Sequence, residues 1–256
     1  MSPPRASVSE FRSRLRSKQH LLGTFIKTPS SHAIEIIGSV GFDFVIIDQE
    51  HAPFDRNSID IACLAAKASG IAAIVRVAEP SPSSILAALD LGAIGVMAPH
   101  VDSPEKAKAL AAACRYRGGV RGFSNTTRAG DFGGASLADH IADQDARVTC
   151  IAMIEDEAAL SHLDGIARVD GIDAFFIGRG DLTAALGVER MAEATRTITA
   201  AARAANMPAM ALVSSKEDAR AMRDLGVTAF LVSNDQNFLK SAAAQALKDY
   251  GDAKTW

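Results

Sequence analysis

Little in this chain points to a membrane, a nucleic acid or an oxidising compartment. No apolar run approaches the roughly 20 residues a membrane-spanning helix needs, although 48% of the 256 residues are hydrophobic. The net charge is only −3, from 27 basic and 30 acidic residues, which argues against nucleic-acid or membrane-surface binding. Cysteine is scarce: Cys63, Cys114 and Cys150 form an odd count without metal-type spacing. Cys63 and Cys150 sit inside apolar runs, so buried, reduced thiols of a cytoplasmic protein are expected. Residues 1–9 contain Pro and Ser but no apolar core, so they read as a disordered tail rather than a signal peptide. A linker is also lacking. The longest stretch without periodicity, residues 116–136, is too rich in Arg and Gly to be a hinge alone. A single domain over 1–256 is expected.

Short apolar runs alternate with amphipathic helical stretches, the pattern of βα units and a parallel sheet. Eight strands are expected, over 22–27, 44–47, 73–77, 94–98, 149–154, 174–177, 209–213 and 229–232. Helices are expected over 30–40, 57–68, 83–91, 104–113, 190–205 and 216–225, several ending at a glycine (Gly41, Gly70, Gly92, Gly226) suited to a left-handed cap. Eight units in a chain of this length match the single-domain α/β class of the (β/α)8 TIM barrel, which usually takes ~250 residues. An open doubly wound sheet is disfavoured because no G-x-G-x-x-G follows the first strand. A last helix over 237–250 carries Phe238, Leu239, Ala243, Ala246 and Leu247 on one broad face. It either closes the barrel or is exchanged with a neighbouring subunit.

What is present is charge at strand ends. Phe44-Val45-Ile46-Ile47 runs into Asp48-Gln49-Glu50-His51, Ile74-Val75 into Arg76, Met153-Ile154 into Glu155-Asp156, and Ile177-Gly178 into Arg179-Gly180-Asp181. In a parallel barrel, charge at the C-terminal ends of strands marks the active face. Glu155 and Asp181 end consecutive strands, and neighbouring strands lie about 4.8 Å apart. The two carboxylates could therefore share one divalent ion; alternatively, one caps a helix and the other pairs with an arginine. Arg76 needs an anionic partner, either a developing enolate or a substrate carboxylate, or Asp48 in a structural ion pair. His51 is a candidate general base. The loop Gly178 to Asp181 offers amides at a helix start, suited to a carboxylate. The Arg-Gly-Asp tripeptide follows a buried strand and is not read as an adhesion motif.

The segments Ile47-Asp48-Gln49-Glu50-His51-Ala52-Pro53, Val75-Arg76, Met153-Ile154-Glu155 and Phe176-Ile177-Gly178-Arg179-Gly180-Asp181-Leu182 resemble the HpcH/HpaI aldolase family, from about Leu22 to beyond residue 235. The resemblance implies a metal-dependent pyruvate aldolase on a (β/α)8 barrel, using Mg²⁺, Mn²⁺ or Co²⁺. By position, it implies Glu155 and Asp181 as metal ligands, with pyruvate completing the coordination. Arg76 would hold the keto or enolate oxygen, His51 would do acid/base work beside Asp48, and the Gly180 and Asp181 amides would take the pyruvate carboxylate. Asp90 matches an acid that the family pairs with the histidine. It precedes the fourth strand, so it could reach a His51 only from another subunit, in keeping with the family's homo-oligomers, such as trimers or hexamers. Two departures stand out. Met153 occupies a position where a glutamine is frequent, removing a water-holding amide, and Arg179-Gly180 replaces Pro-Ala. Arg179 is expected to meet an anionic acceptor or to face solvent. The stretch 118–132, with Arg121 and Arg128, is expected to form a mobile wall over the site.

The expected reaction cleaves or forms a 4-hydroxy-2-oxo acid, giving pyruvate and an aldehyde. Relatives of such a fold also condense enolates with keto acids, as in siderophore-pathway citrate synthesis from oxaloacetate, or act on CoA esters. Schiff-base chemistry at Lys27 is disfavoured, because the carboxylate pair would then have no purpose. A keto-acid-binding protein without catalysis is the non-enzyme alternative.

Overall fold

The computed structural model describes residues 8–251. Eight parallel strands pair in sequence order and close into a barrel: β1 (Leu21–Ile26), β2 (Phe44–Asp48), β3 (Ala72–Arg76), β4 (Gly95–Ala98), β5 (Thr149–Ile154), β6 (Ala174–Ile177), β7 (Ala209–Val213) and β8 (Val227–Asn234). All eight expected strands are present, with ends shifted by at most two residues. Most are buried on both faces, which is why they read as continuous apolar runs. Alternation along each strand then divides two cores. Phe44, Ile46, Ile74, Met97, Ile151, Met153, Phe176 and Leu231 fill the barrel. Val45, Ile47, Val75, Val96, Cys150, Ile154 and Ile177 pack outward under the helices.

The helices also match, for example Ser31–Val40, Arg56–Ser69 and Pro104–Ala113. The expected left-handed glycine caps form, with φ of 107° at Gly41 and 102° at Gly92. The three cysteines are buried and free, as expected. No helix among the described residues is long and apolar enough to cross a membrane.

Of the expected tail over 1–9, residues 1–7 lie outside the described residues, whereas Val8 opens a 3-10 turn. A short helix, Phe11–Arg16, follows; its six residues gave no periodic signal. Phe11 and Leu15, four residues apart, plug the end of the barrel where the strands begin, and the Phe11 ring lies 5.3 Å from that of Phe44. Leu15→Ala removes a fully buried side chain and is expected to cost about 2–5 kcal/mol, read as a lowered midpoint of denaturant unfolding.

The loop over 118–132 corrects an expectation. Arg121 donates to Asp90 Oδ1 (3.4 Å) and Gln144 Oε1 (3.2 Å), and Arg128 to the Leu91 carbonyl (3.0 Å). These partners end the helix Pro82–Asp90 or precede β5, so the loop packs at the strand-start end. It does not wall the end of its own barrel where the strands finish. The final helix, Asp235–Tyr250, is tied to β1 at its first turn, where Asp235 accepts hydrogen bonds from the amides of Lys27 (2.7 Å) and Thr28 (3.0 Å). Beyond that turn it is exposed, Leu239 at 73%.

Candidate active site

Strand parity assembles the mouth. Phe44 and Ile46 point into the barrel, so Asp48, two residues on, does too; the same step from Ile74 leads to Arg76, and that from Met153 to Glu155. Asp48 and Arg76 are direct register partners on β2 and β3. Their side chains meet in a two-point ion pair, Arg76 Nε to Asp48 Oδ1 at 3.0 Å and Nη2 to Oδ2 at 2.7 Å. Burial alone would raise the Asp48 pKa. The bonds and charge of Arg76, the His51 amide and the Lys27 ammonium outweigh it and hold the carboxyl below its ordinary value. Lys27 Nζ lies 3.3 Å from Asp48 Oδ2, an ion pair that gives the Schiff-base alternative no support.

Arg76 thereby has one face fixed and another turned towards Glu50, with Nη1 3.2 Å from Glu50 Oε2. That oxygen is buried and lacks a hydrogen-bond partner. Glu155, 3% exposed, accepts a hydrogen bond from the His100 amide at 2.9 Å. Burial, reinforced by the nearby carboxylates of Asp181 and Glu50, pushes its pKa up to about 7 despite His100. Glu50, His100 and Glu155 each present a ligand atom within 4.8 Å of the others. Converging carboxylates, with Glu155 driven towards neutrality by burial beside Asp181 and Glu50, fit a divalent cation.

The expected site residues fall into three groups. Asp48, Arg76 and Glu155 converge at the mouth, where the His51 amide bonds Asp48 Oδ1 (3.1 Å) and its ring Nε2 lies 3.7 Å from Glu50 Oε2. Asp181 and Gly180 lie in the first turn of the helix Arg179–Leu186 and line a cavity of about 1140 Å³ shared with Lys27, Arg76, Met153 and Phe176. Their first-turn amides have no carbonyl to bond within the helix, and a Cβ built on Gly180 would meet nothing. Asp90 stands apart at the opposite end of the barrel, paired with Arg121. Arg179 pairs with Asp218 (2.8 Å), bonds the Leu212 carbonyl (3.2 Å) and lines the same cavity. Met153 faces into the barrel, almost fully buried.

Two neighbours escaped the sequence reading. Glu50 was visible only as part of the Asp48 to His51 run. His100 follows β4, whose run ends in Pro99-His100 rather than in a formal charge, so charge at strand ends did not reveal it.

The HpcH/HpaI aldolase/citrate lyase model matches residues 21–241. The chain belongs to this family. One relative, the 5-keto-4-deoxy-D-glucarate aldolase of Escherichia coli (strain ATCC 8739), is 33% identical over 248 residues, covering 94% of this chain and 96% of its own. Among solved structures, an HpcH/HpaI aldolase/citrate lyase family protein of Burkholderia cenocepacia J2315 is similar, with a TM-score of 0.89, 28% identity and coverage of 94% of this chain and 98% of the other. Citrate synthase SbnG gives a TM-score of 0.86, 27% identity and coverage of 96% and 99%. This HpcH/HpaI family member is a carbon–carbon lyase.

Proposed function

We propose that this family member is a divalent-metal-dependent pyruvate aldolase that cleaves or forms 4-hydroxy-2-oxo acids, giving pyruvate and an aldehyde. The observation that carries this reading is Arg76, held by Asp48 on one side and presented to the Glu50, His100 and Glu155 group on the other. The similar 5-keto-4-deoxy-D-glucarate aldolase supports the substrate class, because its named substrate, numbered from the keto end, is a 4-hydroxy-2-oxo acid.

In this reading Glu155 and Asp181 hold Mg²⁺, Mn²⁺ or Co²⁺, which when bound supplies Lewis acidity at the keto oxygen. Arg76 donates to the same oxygen as negative charge grows there during cleavage. The Gly180 and Asp181 amides bind the pyruvate carboxylate at the helix start. His51, through water, takes the C4 hydroxyl proton in cleavage and returns it in condensation. Asp48 fixes the direction of Arg76. Asp90 joins this machinery only across a homo-oligomer, a trimer or hexamer, in which a second copy brings it to His51; exchange of the exposed helix Asp235–Tyr250 would help to hold such an assembly. The enzyme then works in the cytoplasm on small molecules alone.

The test is exchange of pyruvate methyl protons in D₂O, followed by NMR with Mg²⁺ or Mn²⁺ and then with EDTA. Metal-dependent exchange that EDTA abolishes is expected; no exchange with any metal would overturn the reading. The likeness to citrate synthase SbnG favours one second reading, condensation with oxaloacetate. Oxaloacetate consumption without aldehyde turnover would select it.

A further inference from the structure

His100 is built into the mouth by an uncommon backbone. Its φ is 55°, a left-handed conformation that non-glycine residues adopt rarely and keep only when their surroundings hold them. Here the hold is visible: the amide donates to Glu155 Oε1 at 2.9 Å, which turns the ring across the mouth between three acids. Nδ1 lies 3.1 and 3.2 Å from the two Asp156 carboxylate oxygens and 3.6 Å from Glu155 Oε1. Nε2 faces the other way, 3.9 Å from Glu50 Oε1.

That is the arrangement of a histidine prepared for a metal. A ligating imidazole generally donates its second ring N–H to a carboxylate, which fixes the tautomer and aims the remaining lone pair. Asp156 is placed to accept from Nδ1, leaving the Nε2 lone pair towards Glu50. Ligand atoms around one ion, each at about 2.1 Å from it, stand roughly 3 Å apart when they meet at right angles. Nε2 stands 3.9 Å from Glu50 Oε1, and Glu50, His100 and Glu155 each offer a ligand atom within 4.8 Å of the others, so closing around an ion takes a movement of about 1–2 Å.

We propose that His100 is a protein ligand, through Nε2, of the divalent ion that Glu155 and Asp181 hold in the reading above, with Glu50 closing the Nε2 side and Asp156 orienting the ring. The inference rests on the metal-dependent reading above and deepens it, because an imidazole changes which ions bind well. Carboxylate and water suit Mg²⁺, whereas imidazole favours the later divalent metals. The chain is therefore tuned towards Co²⁺ or Zn²⁺ more than an all-oxygen site would be.

The experiment is pulsed EPR on the full-length protein loaded with Mn²⁺, read for ¹⁴N coupling from a bound imidazole, together with calorimetric titration of Co²⁺ and Mg²⁺. His100→Asn is the informative variant because asparagine tolerates the left-handed backbone; His51→Asn is the companion. The expected result is ¹⁴N coupling in the unmodified protein and in His51→Asn, lost in His100→Asn. Co²⁺ affinity should fall at least about 10-fold in His100→Asn, because loss of a partner that merely orients a ligand already costs about 10–100-fold, with Mg²⁺ affinity little changed. Bound Mn²⁺ without ¹⁴N coupling, or coupling that survives His100→Asn, would overturn the assignment while leaving metal-dependent methyl exchange intact. Failure of any divalent ion to bind would overturn both this inference and the metal-dependent reading.

Discussion

Glu155→Gln is expected to abolish metal-dependent exchange of the pyruvate methyl protons while making the metal-free protein more stable. The first effect follows from its proposed place as a ligand. Lewis acidity at a keto oxygen contributes several kcal/mol, so a loss of about a thousandfold is expected. The second follows from its surroundings. Glu155 is almost fully buried, faces Glu50 and Asp181, and has a pKa of about 7 against an ordinary 4.5. Because the folded value is raised, the proton is held more tightly by the folded protein. Below about pH 4.5 both states are protonated and nothing is lost. As the pH rises from 4.5 to 7, ionisation costs the folded state progressively more, to a full penalty of about 3 kcal/mol above it. Glutamine keeps an oxygen for the His100 amide but carries no charge. Denaturant unfolding in EDTA should therefore show wild-type stability falling more steeply than the variant's between about pH 4.5 and 7. Added Mn²⁺ should restore the wild type and leave the variant unmoved. A variant that gains no stability at pH 8, or that still responds to Mn²⁺, would contradict this account of Glu155.

The barrel was legible because its rule is local. Strands such as Thr149–Ile154 and Ala174–Ile177 are buried on both faces, so each reads as an apolar run bounded by helix signals. Parity within those runs was not legible from hydrophobicity, since inward and outward positions are equally apolar. Closure of the barrel is what aligns Asp48, Arg76 and Glu155. Of the alternatives posed for Arg76, ion pair or enolate ligand, the ion pair forms: the contact with Asp48 uses Nε and Nη2 and leaves Nη1 towards Glu50. What stayed hidden depends on distance along the chain. Arg179 finds Asp218, 39 residues away, and no local pattern marks that partner. The loop over 118–132 looked functional because it is rich in Arg and Gly, but composition does not say at which end of a barrel a loop lies. His100 was hidden for a chemical reason, since a histidine after proline carries no formal charge and its importance comes from the Asp156, Glu155 and Glu50 carboxylates around it.

Arg76→Met should separate the structural and chemical duties of the central ion pair. Removing the guanidinium leaves the Asp48 side chain at 0% exposure with only Lys27 and the His51 amide for company. Breaking a buried pair from one side costs about 3–5 kcal/mol, and Lys27 at 3.3 Å should hold the loss towards the lower end. Methyl exchange should fall about 10²–10³-fold, the usual effect of deleting one oriented donor to a developing oxyanion. Asp48→Asn combined with Arg76→Met removes the orphaned charge as well, so denaturant unfolding should show much of the stability returning. Activity should not return with it, because the donor to the enolate oxygen is still missing. Arg76→Lys is the finer probe: an ammonium keeps the charge but cannot hold Asp48 at two points while reaching towards Glu50. It should fold nearly as well as the parent and still lose most of the exchange. If the double variant regains exchange together with stability, Arg76 serves only to neutralise Asp48, and the enolate oxygen must be held by another group in the mouth.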